Sequence, residues 1–327
     1  MDQVMVMKTE VRKIYSSGRS SYIVTLPKDW VERNGLKAGD GVVMQIGERS
    51  IVISARKDEK KPKKDASIDA KGLIGQSLIR RIISYYLAGY DSLRIKVYNE
   101  EHRRAVALAS DILIGAEVIE DLGKEIVLEI FLDDTRYKPD DIIEKMGNIC
   151  IAMLSDFCIA LESLDRYICS TLQIREEEVD RLHFLVLRQL KSVVRQCGSS
   201  DLQTTKALEY RTVVRAFERI ADHIANMSES LLKLGKPIPE LCDFVNDVQD
   251  LLKTANVSFL RKDTELADFV LNEFGNLSEM EDHLYRQFIE QNVKEAVYVK
   301  SIMDSLFRIA AYSADIAEVV INVCVPD

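Results

Sequence analysis

The chain reads as a mainly α protein: a body of two tandem three-helix bundles, preceded by a small β head and a small α/β segment. Three observations carry that reading. From Asp140 onward strand signals vanish, and long amphipathic, charge-rich stretches follow one another. The 327 residues include only 14 Gly and 6 Pro, with 47% hydrophobic and 30% charged residues, a composition neither disordered nor fibrous. The helical region also matches itself. Val179, followed by Leu187-Arg188-Gln189-Leu190, corresponds to Leu277 followed by Tyr285-Arg286-Gln287-Phe288 at an offset of 98, and Phe217-Glu218-Arg219-Ile220-Ala221-Asp222 corresponds to Leu306-Phe307-Arg308-Ile309-Ala310-Ala311 at an offset of 89. A unit repeated in this way buries its apolar faces against its neighbour.

This length exceeds what a single core fills, so several units are expected. The pattern places a head at 1–56, a basic linker at 57–66, an α/β segment at 67–135, and three-helix repeats at 136–235 and 236–327, with Gly235-Lys236-Pro237 as the joint. In the head, residues 9–15 and 20–26 alternate as two short strands, Pro27 opens a helical turn, and glycines punctuate two further strands at Val42–Ile46 and Ser50–Ser54. So few residues bury too little apolar surface to be stable alone, and a second copy is expected to complete the core. In the middle, Leu73–Tyr86 reads as an apolar helix, Leu93–Val97 as a strand and Glu100–Asp111 as a helix. Two strands then flank Asp121-Leu122-Gly123-Lys124. No phosphate loop, nucleophile elbow or ligand cluster is present there, and the segment commits to no chemistry.

The formal charge of −9 is unevenly distributed. Residues 1–66 contain 14 Lys/Arg against 9 Asp/Glu, a net of +5, which leaves −14 for the remainder. A basic head on an acidic body suits a polyanion at one end and cations at the other. The same excess is also explained by a solvated linker, because Arg56, Lys57, Lys60, Lys61, Lys63 and Lys64 cluster around Pro62. The six cysteines include no CxxC pair and sit mostly among apolar residues, as free buried thiols of a reducing cytoplasm do. No apolar run approaches the roughly 20 residues of a membrane span, and the charged start lacks an apolar signal core. A soluble cytoplasmic protein without membrane insertion is the expectation.

In the last helix of the first repeat, Glu218, Asp222, Asn226 and Glu229 share one face. Like charges one turn apart repel, so the face gains from a cation, and hard carboxylate oxygens suit Mg²⁺, Mn²⁺, Ca²⁺ or iron. Arg215 and Arg219, each three residues before an acid, offer the alternative of a salt-bridged surface helix. Glu176, Asp180 and His183 likewise share a face, and packed against Glu218 and Asp222 they complete a metal site. Asn276, Glu281 and His283 are weaker candidates in the second copy, where Phe307 and Ala311 replace the acid pair. At most one strong acidic site per chain is therefore expected.

Two resemblances extend this reading. Through Val11-Arg12-Lys13, Gly18-Arg19, Leu26-Pro27 and Gly35-Leu36-Lys37-Ala38-Gly39-Asp40, the head resembles the AbrB/MazE-like swapped-hairpin domains. That likeness implies an intertwined homodimer of a kind that usually binds DNA, with Arg12 and Arg19 at the basic positions and Lys13 and Lys28 as further candidates. Val31 and Glu32 stand where some members carry an Arg pair. Glu218-Arg219-Ile220-Ala221-Asp222-His223, inside a duplicated three-helix unit, resembles the acidic signature helix of PhoU proteins. This implies divalent or iron-type metal ions on the acidic face and a regulatory, non-enzymatic role in phosphate uptake, with a transporter or signalling protein as partner. The combined architecture resembles the archaeal-type phosphate uptake regulators. The rival readings are an adaptor that uses neither metal nor DNA, and a ferritin-like di-metal oxidase. The oxidase wants paired Glu-x-x-His motifs, to which only Asp180-Arg181-Leu182-His183 comes near.

Overall fold

Short alternating runs separated by glycine turns make the N-terminal strands. The computed structural model describes residues 9–18, 21–46, 50–55, 63–132, 137–196, 201–289 and 295–325. It divides the chain into two units, Met1–Pro62 and Lys63–Asp327. In the first, β1 (Ile14–Ser17) and β2 (Ser21–Val24) form an antiparallel hairpin with Ile14 opposite Val24. The chain leaves β1 at Gly18, at φ 74, with Ser17 opposite Ser21; β1 begins at Ile14 instead of residue 9 and β2 ends at Val24 instead of residue 26. After Pro27 comes α1 (Lys28–Arg33), and β3 (Val42–Ile46) pairs with β4 (Ile51–Ala55) as a second hairpin. None of this unit's described residues is buried: Ile14 is 68% exposed and Ile46 77%.

The second unit starts with a sheet covered by two helices. Its elements are β5 (Asp65–Asp69), α2 (Gly75–Leu87), β6 (Ser92–Lys96), α3 (Glu100–Ile112), β7 (Ala116–Asp121) and β8 (Glu125–Ile130), with strand order β5-β6-β8-β7. β5 runs parallel to β6 through the α2 crossover, and β8 is antiparallel to both of its neighbours. The α2–β8 elements lie close to the sequence expectation, whereas β5 was not foreseen. It begins inside the stretch assigned to the linker, and the two lysines before it are held by the fold: Lys63 pairs with Glu129 at 3.3 Å, and Lys64 donates to Ala88 O at 3.1 Å while lying 4.1 Å from the Tyr90 ring centroid. Asn99 caps α3 by accepting from the His102 backbone N–H.

The body consists of α4 (Pro139–Ser163), α5 (Arg166–Gln196), α6 (Asp201–Leu234), α7 (Cys242–Arg261), α8 (Thr264–Ile289) and α9 (Ala296–Cys324), with a 3₁₀ turn at Pro239–Leu241 before α7. The duplication is visible in the corners. Leu164 after α4 and Lys262 after α7, 98 residues apart, both take the left-handed conformation at φ 52 and 55. The following residues, Asp165 and Asp263, each accept two backbone N–H bonds, at 2.8 and 3.2 Å and at 3.0 and 3.1 Å. Each aspartate thus satisfies two of the otherwise unpaired donors at the start of α5 or α8. One continuous apolar core, including the fully buried Phe157, Phe217 and Phe259, joins both repeats.

Two polar arrangements tie the parts together. From α5, the buried Arg188 donates to Tyr86 O at 2.7 Å and Tyr90 O at 2.9 Å, and meets Asp91 at 3.2 Å, at the C-terminal end of α2. Between α4 and α7, Asn256 lies against Gly147 so closely that a Cβ there would stand 2.5 Å from Asn256 Oδ1. The five described cysteines are free, and burial pushes the Cys158 thiol up to about 12. Cys197 lies outside the described residues. Among the described residues no helix is long and apolar enough to cross a membrane.

Because Asn256 is only 3% exposed and its Cγ, Oδ1 and Nδ2 would all stand within 3 Å of the added Cβ, Gly147→Ala overpacks the α4–α7 contact. The substitution should destabilise the body by roughly 1–3 kcal/mol, read as a lower midpoint in thermal or urea unfolding. An unchanged midpoint would show that the two helices separate freely there.

Candidate metal centre

The site grows from the contact of α5 with α6. Glu176 and Asp180 are one turn apart on α5, so both side chains leave the same face. Asp222 of α6 meets them from the opposite side. One ligand atom from each of the three carboxylates lies within 4.8 Å of the other two, and this is the one such group of three among the described residues. All three are partly buried. A neighbouring cross-link fixes the two helices relative to each other: Gln173 Nε2 donates to Ala225 O at 2.9 Å and Ser228 Oγ at 3.2 Å.

Partial burial among like charges shows in the protonation of Glu176, Asp180 and the neighbouring Glu218. Burial, then the neighbouring Asp180 and Asp222, pushes Glu176 up to about 7. Asp180 is pushed up to about 6 by burial and Asp222, against the pull of Arg215 and Arg219. Glu218 is also raised, first by burial and then by Asp222. These are the shifts expected where carboxylates lose water without gaining enough positive charge.

Arginines supply part of the balance. Arg219 donates to Asp222 Oδ2 at 3.0 Å, while Glu218 Oε2 lies 3.5 Å from Arg215 Nε and 3.6 Å from Arg219 Nε. Both i,i+3 pairs foreseen as the alternative to metal binding are thus formed, beside a carboxylate trio that includes Asp222. Glu218 Oε2 is buried and accepts no hydrogen bond.

The remaining sequence candidates disperse. His183 is buried one turn beyond Asp180, outside the converging trio, and burial together with Arg215, Arg211 and Arg219 pushes its ring down to about 4. Asn226 is exposed one turn beyond Asp222. In the second repeat Asn276 is exposed and donates to Glu273 Oε1 at 3.2 Å, while the side chains of Glu281 and His283 lie outside the described residues. At the repeat offsets, Phe274, Ser278, Phe307 and Ala311 occupy the places of Glu176, Asp180, Glu218 and Asp222. Phe307 is 9% exposed and contacts the Phe244 ring at 5.1 Å between centroids, so packing replaces charge there. In the N-terminal unit, Arg12 pairs with Glu10 and lies 3.5 Å from Thr25 Oγ1, Lys13 is exposed, and exposed Lys28 sits 3.6 Å from Glu32. Arg19 falls outside the described residues.

Comparison with known proteins agrees with this architecture. The PhoU domain family matches residues 143–231, which span the acidic trio, and the family described as the antidote-toxin recognition MazE bacterial antitoxin matches residues 16–65. Two solved structures share the fold of the body. PhoU from Pseudomonas aeruginosa is 15% identical, with 57% of this chain and 94% of that one covered and a TM-score of 0.50. The phosphate transport system regulatory protein PhoU from Streptococcus pneumoniae is also 15% identical, with 57% and 92% covered and a TM-score of 0.51. No curated protein matches the chain. The chain therefore joins a MazE-like head to a PhoU-like helical body.

The raised carboxyls have a defined pH signature. In the folded protein Glu176 and Asp180 hold protons up to about 7 and about 6, whereas unfolded they release them near the ordinary 4.5 and 3.8. Folding thus favours their protonated forms, and stability should fall as pH rises from about 4 to about 7 in chelator-treated protein. Glu176→Gln, which cannot ionise, should flatten that decline in thermal melts across the same range. Parallel curves for both proteins would mean that the carboxyl is not under strain.

Proposed function

We propose that the chain is a dimeric, non-enzymatic, PhoU-like regulator of phosphate homeostasis whose body holds a hard metal ion and whose head dimerises and binds DNA. The observation that carries the reading is the convergence of Glu176, Asp180 and Asp222 within the PhoU-matched span. Oxygen-only donors that are partly buried and insufficiently neutralised fit a divalent or iron-type cation better than they fit solvent. When bound, such an ion supplies positive charge between α5 and α6. Glu176 and Asp180 would lose their protons to solvent on ligating it, and Asp222 would exchange its Arg219 contact for the metal. The regulatory role is supported by the likeness to PhoU, one solved relative of which is described as a phosphate transport system regulatory protein. A transporter or signalling protein is the corresponding partner.

The head is supported by a different observation. With Ile14, Tyr22, Ile46 and Ile51 all more than half exposed, the N-terminal unit presents more apolar surface than a solitary unit of its size keeps in water. A second copy of this chain covers it. Arg12, Lys13, Arg19 and Lys28 are the residues offered to duplex phosphates, through a nonspecific attraction that salt screens.

Three measurements test the proposal. Elemental analysis of purified protein should show a bound metal that falls to background in Asp180→Asn plus Asp222→Asn. Equal metal content in the variant would remove the site. In a low-salt mobility shift, Arg12→Ala plus Arg19→Ala should weaken duplex binding severalfold, and identical shifts would leave the head as a dimerisation module alone. Deleting the gene should raise phosphate uptake by cells grown in abundant phosphate. Unaltered uptake would end the regulatory reading.

A further inference from the structure

A second cleft, of about 600 Å³, opens between α5, α6 and α9, one turn along α5 from Asp180. Its chemistry is the reverse of the acidic trio. Arg211, Thr212 and Arg215 line it from α6, His183 from α5, and Tyr312 and Asp315 from α9. Arg211, Arg215 and Arg219 are spaced four residues apart on α6, so their guanidiniums share a face and repel one another. Arg219 is satisfied by Asp222, and Arg215 Nε lies 3.5 Å from Glu218 Oε2. Arg211 has no carboxylate partner among the described residues. Beside them His183 is 5% exposed, and its Nδ1 is buried without a hydrogen-bond partner. Asp315 is pushed upward by burial and by Glu318, and it is the one carboxyl in the lining.

The cleft thus gathers two guanidiniums, a hydroxyl and one carboxyl beside a buried polar atom that no described protein group satisfies. A carboxylate ligand would occupy one guanidinium fork. A tetrahedral oxyanion has enough acceptor directions to bridge two forks and a hydroxyl together. We propose that this cleft binds the phosphate group of a small molecule, its oxygens received by the Arg211 and Arg215 guanidiniums and the Thr212 hydroxyl. The choice of phosphate among tetrahedral oxyanions rests on the regulatory reading above. Use of the cleft by an oxyanion does not, nor does it depend on metal at the trio.

The test titrates inorganic phosphate and ATP separately into the full chain by calorimetry, with a chelator present so that bound metal cannot contribute. Saturable binding of at least one titrant is expected, and which of them binds identifies free phosphate or a nucleotide as the source. Arg211→Gln, an exposed change at a residue without an ion pair among the described residues, should weaken binding roughly tenfold, the loss expected for one charge-assisted contact. Asp180→Asn plus Asp222→Asn should leave it intact, so that failure of the metal site and failure of this cleft are read independently. No saturable binding of either titrant, or equal affinity in Arg211→Gln, overturns the proposal.

Discussion

Three carboxylates meet between α5 and α6, and charge balance at that point is the constraint on which the surrounding side chains depend. Mutual repulsion in a partly dry setting leaves a few remedies: protons, guanidiniums or a metal cation. The protein draws on the first two. Glu176 and Asp180 retain protons well above the ordinary carboxylate range, and Arg215 and Arg219 lean on the acids of their own helix. Of these two arginines only Arg215 also lines the donor-rich cleft, where it reaches Glu218 and not the carboxylate trio. In the second repeat Phe307 packs on Phe244 at the place of Glu218, and the problem of charge balance does not arise.

The helical body was largely legible in the sequence, because amphipathic periodicity and the offset of 98 both survive divergence. The same offset relates Leu164-Asp165 to Lys262-Asp263, yet that pair of corners was not read. Its left-handed residues are neither Gly nor Asn, which are the side chains that ordinarily advertise this conformation. Strand β5 escaped for a comparable reason. Of its five residues only Ile68 is buried, at 2% exposure, and its start lies against a run of lysines that reads as solvated linker.

The candidate site was legible as helix faces and illegible as a constellation. Spacing places Glu176 with Asp180, and Glu218 with Asp222, but which of these acids meet depends on where the two helices cross. The crossing brings Asp222 to the pair on α5 and leaves Glu218 with the arginines. His183 shares the face of Asp180 and still turns to different neighbours. In the head, the order of hairpin, helix and hairpin was recoverable from glycines and Pro27. The MazE-matched span begins at residue 16, after Arg12 and Lys13, so those two basic positions rest on the sequence resemblance alone.

The guanidinium of Arg188 carries a lesson about modularity. It completes the final turn of α2 from a helix about a hundred positions further along the chain, and Phe184 of that helix also packs on the core beneath the sheet. The boundary between the α/β segment and the body is therefore a seam in topology that the energetics do not respect. A recombination event or an engineered truncation made near residue 135 would remove one partner of that anchor and orphan the other. The two parts are thus coupled through that shared arginine.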